Sequence, residues 1–288
     1  MEYRSLQTFL TLADTLHFGR AADACHMSPP TLTRAIKQLE ATLGVSLFNR
    51  DNRSVALTAE GEVFRNYARE ALGLWSDLQD KLVDETEQLS GELTLYGSVT
   101  ASYSFLFDLL ARFRQLHPGI RLSLQTGDPE QAVSRVQSGD VQVSFGARPT
   151  SLPASVAFRK MASTKLVFIS PRDDTDTTSD NWQRQPMILP ERGKAREQIM
   201  QWFRSLGVAP QILAQVAGNE AIVSMVSLGG GIGVVPRIVL DNSPLADRVT
   251  VLEVDAPLDP LEVGLFALRK SLKNRIVDAL WNVVAPQK

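Results

Sequence analysis

The chain has 288 residues, enough for two or three domains with well-buried cores. A hydrophobic content of 44% and a charged content of 22% are those of a soluble globular protein. No run approaches the ~18 apolar residues of a membrane span, and charge inside the first ten residues excludes a signal peptide. The net charge of −2 counts mildly against nucleic acid as a partner for the whole chain. The single cysteine, Cys25, cannot form an internal disulfide and suits a reducing cytoplasm.

The first helix is predicted from Glu2 to Leu16, with Leu6, Phe9, Leu10 and Ala13 on one face at helical spacing. Phe18, Ala21, Ala22 and Cys25 give a second short helix its buried face. Ser28 is a natural N-cap for a third helix, with Pro29 and Pro30 in its first turn, where no helical N–H partner is lost. Its apolar stripe is Leu32, Ala35, Ile36, Leu39 and Leu43, and Gly44 supplies a left-handed stop. Val45 to Thr58 reads as two short strands around the turn Arg50-Asp51-Asn52-Arg53, a wing.

From Ser28 to Arg53 the local charge is +2, with Arg34, Lys37, Arg50 and Arg53 against Glu40 and Asp51. The exposed face of the third helix carries Thr31, Thr33, Arg34, Lys37 and Gln38, side chains that donate to phosphate or base edges. A solvated helix face is the plain alternative. The tight turn before the helix and the basic hairpin behind it favour entry into a groove of duplex DNA.

Thr58 to Leu89 is predicted as one long helix. Phe64, Ala68, Ala71, Trp75, Leu78 and Leu82 step along it by three or four residues, a seam for a partner helix. A dimer interface at its N-terminal part and a linker beyond it follow. Packing on the helix's own domain is the alternative.

From Gly91 strands and helices alternate. Strands are predicted at ELTLYGS, IRLSLQTG, VQVSFGA and KLVFISP, with helices over Ala101–Leu116 and Pro129–Gln137. After a polar loop over Asp173–Asn181, a second series follows: PMILP, a helix Ala195–Leu206, ILAQV, a helix Asn219–Leu228, then IGVVP. VTVLEV and EVGLFAL add strands, and Ser271–Val284 closes as a helix. Two α/β lobes joined by crossing segments make a cleft for a small ligand.

The loop Gly97-Ser98-Val99-Thr100 follows a strand and opens a helix, which suits a carboxylate or merely caps the helix. Arg148, beside the expected interlobe crossing, and Arg196 are candidate carboxylate partners or plain surface arginines. Asn219 and Glu220 open another helix after a strand and are further candidates for the same cleft. The run Gly229-Gly230-Gly231-Ile232-Gly233 leads from a helix into a strand, the reverse of a dinucleotide fingerprint, so it reads as a turn. His17, His26 and His117 lack metal-ligand spacing, and no catalytic triad or phosphate loop appears, so neither catalysis, a metal nor a cofactor is expected. A small-molecule-binding protein or enzyme, its N-terminal helices serving only oligomerisation, is the reading from another class.

Phe9, Phe18, Ala21-Ala22, Leu32-Thr33-Arg34-Ala35-Ile36, Leu39-Glu40, Leu43-Gly44, Leu47-Phe48, Arg50, Leu57-Thr58 and Gly61 together resemble the LysR-type transcriptional regulators, a resemblance that extends over essentially the whole chain. It implies an α/β protein with an N-terminal all-α winged helix-turn-helix (1–58), a long linker and dimerisation helix (59–90) and a two-lobed, periplasmic-binding-protein-like effector domain (91–288). It also implies a homodimer or homotetramer on double-stranded promoter DNA, a small effector in the cleft and contact with RNA polymerase. By the same resemblance Ser28, Pro30, Thr31, Thr33, Arg34 and Lys37 meet DNA, with Arg50 and Arg53 on the wing, and Ser98, Val99 and Thr100 meet the effector. Pro29-Pro30 departs from the serine-rich helix start of many family members. HFGRAADACHMSPPTLTRAI, SGELTLYGSVTASYS and NEAIVSMVSLGGGIGVVP carry a narrower resemblance, to an activator of isoleucine and valine synthesis. That likeness implies acetolactate or acetohydroxybutyrate as the anionic effector.

Overall fold

Three short helices begin the chain: α1 (Tyr3–Thr15), α2 (Phe18–Ala24) and α3 (Pro29–Leu43). In this computed structural model the described residues are 2–50, 55–82, 89–172, 182–254 and 257–284. Each early helix ends where local chemistry stops it. Leu16 closes α1 in the left-handed region at φ 47, and His17 Nδ1 accepts from the Arg20 N–H to start α2. Ser28 Oγ accepts from the Thr31 N–H at 3.4 Å to start α3, and Gly44, at φ 71, ends it.

Strands β1 (Phe48–Arg50) and β2 (Val55–Leu57) pair antiparallel, with Phe48 opposite Leu57. The intervening Asp51, Asn52, Arg53 and Ser54, and the Arg50 side chain, lie outside the described residues. The hairpin leads into α4 (Ala59–Leu82). Phe9, Leu12, Ala21, Ala22, Leu32 and Ala68 are fully buried where α1, α2, α3 and α4 converge, and Phe9 meets Phe48 and Phe64 edge to face or tilted.

The long helix differs from the sequence expectation in two ways. It is described from Ala59 to Leu82, residues 83–88 lie outside the description, and Leu89 is non-helical and packs on the core of the following domain. The expected seam is also divided. Phe64 and Ala68 are buried in their own unit and Ala71 packs beside them, while Trp75 and Leu78 are exposed. Three short helices need a fourth to cover their core, and that demand takes the Phe64 side of α4. The exposed apolar row is Val63, Tyr67, Leu74 and Leu78, which shares Leu78 with the expected row and otherwise lies one residue round from it. The Leu82 side chain lies outside the described residues.

The chain divides into units Met1–Glu87 and Gln88–Lys288. The second holds two five-stranded sheets. One has the order β4-β3-β5-β12-β6, from β3 (Gly91–Gly97), β4 (Ile120–Thr126), β5 (Val143–Ala147), β6 (Val156–Thr164) and β12 (Leu261–Leu268). The other has the order β11-β7-β10-β8-β9, from β7 (Leu166–Pro171), β8 (Pro186–Pro190), β9 (Gln211–Val216), β10 (Ile232–Pro236) and β11 (Val249–Leu252). β3, β4 and β5 run parallel, as do β8, β9 and β10, while β6, β7, β11 and β12 are added through antiparallel pairings.

Strand β6 is absent from the sequence reading because its burial does not alternate; its pairing with β12 also contains a bulge between Val263 and Gly264. Its presence moves the first interlobe crossing to Lys165, between β6 and β7, and away from Arg148. The expected helix at 101–116 starts earlier and is broken into α5 (Val99–Tyr103) and α6 (Phe105–Leu116) at Ser104, whose hydroxyl donates to the Thr100 carbonyl at 2.7 Å. The segment 129–137 is a 3-10 turn followed by α7 (Ala132–Gln137). Helices α8 (Gly193–Ser205) and α9 (Asn219–Ser227) lie close to expectation, and a short α10 (Arg237–Asp241) is additional. The closing helix is shortened to α11 (Arg275–Val283), because Asn274 caps it by accepting from the Ile276 and Val277 N–H groups. The glycine run is a turn, with Gly229 and Gly231 at positive φ before β10.

Candidate functional sites in the two units

In the N-terminal unit, Pro30, Thr31, Arg34, Lys37 and Gln38 are exposed along α3. Arg34 and Lys37 make no hydrogen bond or ion pair with described residues, so their donors face solvent. Thr33 is half-buried and its hydroxyl donates to the Pro29 carbonyl at 2.9 Å, leaving an acceptor and a methyl group for a partner. Ser28 and Thr31 share a 2.7 Å hydroxyl contact at the cap.

Glu40, to which the sequence reading gives no structural role, fastens the hairpin to this helix. Its Oε1 accepts from the N–H groups of Leu47 and Phe48 at 2.9 and 3.2 Å. Thr58 completes the junction, its hydroxyl donating to the Ser46 carbonyl and accepting from the Gly61 N–H. Hairpin and helix are thereby held in one fixed relation.

In the second unit a cavity of about 770 Å³, its open mouth included, lies between the two sheets. Ser98 and Thr100 line it from the first lobe and Asn219 from the second. Val99 is exposed and off the wall. Glu220 reaches Thr100 instead, accepting from its N–H at 3.0 Å and from its hydroxyl.

Neither expected arginine reaches the cavity wall. Arg148 is paired with Glu262 at 3.3 Å and lies over the Phe158 ring, and Arg196 donates to the Pro190 carbonyl at 3.1 Å. Arg192 lines the wall, ion-paired with Asp128 at 2.7 Å. Asp128 caps the 3-10 turn, Glu130 lies within it and Arg192 stands in the loop before α8, positions that periodicity does not mark. The signal available was Gly193 beside Arg192: at φ +89, a Cβ there would fall 2.0 Å from Glu130 Cδ.

Glu130 is exposed as a residue, yet its carboxylate is tucked against Gly193 at the cavity wall. Burial of that end pushes its pKa up to about 7, with Asp128 and Glu197 adding to the rise and Arg192 opposing it. The folded cleft therefore favours the neutral acid. The stability this contributes is fully present below the ordinary value of 4.5 and is lost as pH rises through about 7. Glu130→Gln is expected to flatten the decline in stability across that window, which denaturant midpoints of the two proteins at several pH values will check.

The chain matches the lysR-family bacterial regulatory helix-turn-helix over residues 3–62 and the LysR substrate binding domain over residues 86–287. The chain belongs to the LysR family. As a member it is a DNA-binding transcription regulator with an effector-binding domain. The HTH-type transcriptional activator IlvY of Haemophilus influenzae is 41% identical to it, over 98% of this chain and 99% of that one. The HTH-type transcriptional regulator IlvY of Escherichia coli is 39% identical over the full length of both. Among solved structures, full-length OxyR from Pseudomonas aeruginosa aligns with a TM-score of 0.72 at 24% identity, over 100% of this chain and 98% of that one. CbnR, a LysR family transcriptional regulator, aligns with a TM-score of 0.69 at 22% identity, over 99% and 98%. At those identities the structures establish a shared LysR-type fold and nothing narrower.

Proposed function

We propose that this LysR-family protein activates genes of isoleucine and valine synthesis in response to acetolactate or acetohydroxybutyrate. The observation that carries this reading is the near-complete alignment with IlvY proteins at 39% and 41% identity. The cavity agrees in chemistry: hydroxyl and N–H donors at Ser98 and Thr100, Asn219 opposite, and Arg192 at the wall suit a small hydroxy-keto acid. In this reading the protein works in the cytoplasm and contacts RNA polymerase at the promoter. Two copies pair through the exposed row Val63, Tyr67, Leu74 and Leu78, as a homodimer or as half of a homotetramer.

On DNA, α3 enters the major groove. Thr31, Arg34 and Lys37 make its contacts, Thr33 offers its methyl group, and Ser28 and Pro30 set the helix start. Arg50 and Arg53 follow the backbone from the wing. Arg34→Ala is expected to weaken operator binding by roughly 10- to 100-fold, the equivalent of about 1–3 kcal/mol for a bidentate base contact. A gel shift at fixed salt with the folded variant measures this, and unchanged affinity would remove Arg34 from the readout. In-vitro transcription from an acetohydroxy acid isomeroreductase promoter tests the effector: output should rise with acetolactate, and no response would reject it.

A further inference from the structure

Thr100 offers two donors at the cavity wall, and one carboxylate of the protein takes both. Its N–H and its hydroxyl converge on Oε1 of Glu220, the first at 3.0 Å. Thr100 is only 3% exposed, so its donors have little access to water and need an acceptor. Glu220 comes from the other lobe, 120 residues away in sequence, beside the cavity-lining Asn219. The contact therefore occupies both Thr100 donors with a carboxylate and ties the lobes together.

No ion pair to a described residue fixes Glu220, and its carboxylate is held through Thr100. A small carboxylate brought to Ser98 and Thr100 would need the same two donors. Two carboxylates cannot share them without strong like-charge repulsion in a partly dehydrated site. The half-buried Glu220 side chain can turn toward water when it is replaced.

We infer that Glu220 is an internal competitor for the effector's carboxylate: effector binding exchanges one carboxylate for the other on Thr100 and releases the tie between the lobes. The inference rests on the reading above that a small carboxylic acid occupies this cleft. Exchange gives the ligand a differential affinity for tied and untied arrangements, which any coupling to the rest of the protein requires. It also lowers the apparent affinity by the fraction of molecules that are tied.

Calorimetric titration of the full-length protein with acetolactate, pyruvate and the uncharged hydroxy-ketone acetoin tests this in wild type, Glu220→Gln, Glu220→Ala and Thr100→Val. Both Glu220 variants are expected to bind a carboxylate at least tenfold more tightly than wild type, with acetoin unchanged. Adding Thr100→Val, which removes the hydroxyl and keeps the N–H, should reduce the gain severalfold. Equal or weaker carboxylate binding in both Glu220 variants overturns the competition. So does a parallel gain for acetoin, which would mark a merely loosened cleft. If wild type ignores acetolactate but Glu220→Gln binds a carboxylate through Thr100, the competition stands and the acetolactate assignment falls. If no protein binds either carboxylate, both fall.

Discussion

Phe9→Ala is expected to cost the N-terminal unit about 3–5 kcal/mol and to abolish operator binding at ordinary temperatures. Phe9 is fully buried and touches no surface through which DNA could be read. Its ring sits 4.7 Å from Phe64 of α4, edge to face, and 5.3 Å from Phe48 of β1. One side chain thus joins the first helix, the hairpin and the long helix. Truncation leaves a cavity bordered by two rings whose mutual spacing the third had set, and the short hairpin offers little to close it. Against the roughly 5–15 kcal/mol that stabilises a typical domain, such a loss is a large fraction. Urea denaturation followed by gel shift separates this from a contact defect: weakened binding with unchanged stability would contradict it. Tyr67→Ala, half-exposed on the same helix with its ring 5.8 Å from that of Phe64, is expected to cost much less, about 1 kcal/mol.

The DNA-binding part was largely legible in the sequence because its elements carry their own end signals. Ser28, the two prolines and Gly44 delimit α3 by backbone chemistry, and Leu32, Ile36 and Leu39 mark its buried side by spacing alone. The long helix shows where periodicity stops. A repeat of three and four residues says that a face is apolar and does not say which neighbour covers it, so spacing alone suits the row through Phe64 equally to a partner helix or to its own domain. The structure spends Phe64 and Ala68 on the subunit's own core and leaves Val63 and Tyr67 outside.

The cleft was legible only where a strand runs into a helix. Ser98, Thr100 and Asn219 stand at such junctions and do line the cavity. Asp128, Glu130 and Arg192 are brought there by loops whose course depends on contacts far away in sequence, such as Gly193 against Glu130. Backbone direction decides which arginine of this stretch reaches the wall, and sequence spacing does not show it. Arg196, one turn into α8, folds back to the Pro190 carbonyl, while Arg192, just before the positive-φ glycine, faces Asp128.

Gly61→Ala is expected to destabilise the N-terminal unit by about 3 kcal/mol, although helix propensity alone predicts a gain of about 1 kcal/mol. Gly61 lies in the first turns of α4, where a Cβ would fall 2.1 Å from the Leu47 carbonyl oxygen and 2.9 Å from Leu57 Cδ2. The carbonyl cannot retreat freely. It accepts from the Thr58 N–H at 3.0 Å, and the Leu47 N–H is held by Glu40. The added methyl must therefore push α4 off the hairpin, breaking the junction that fixes the wing against α3. Gly73, exposed on the same helix with no atom within 4 Å of a would-be Cβ, supplies the contrast. There alanine should stabilise by up to about 1 kcal/mol. Chemical denaturation of the two variants should give shifts of opposite sign. A gain at both positions would show that close approach to Leu47 is not what requires glycine at position 61.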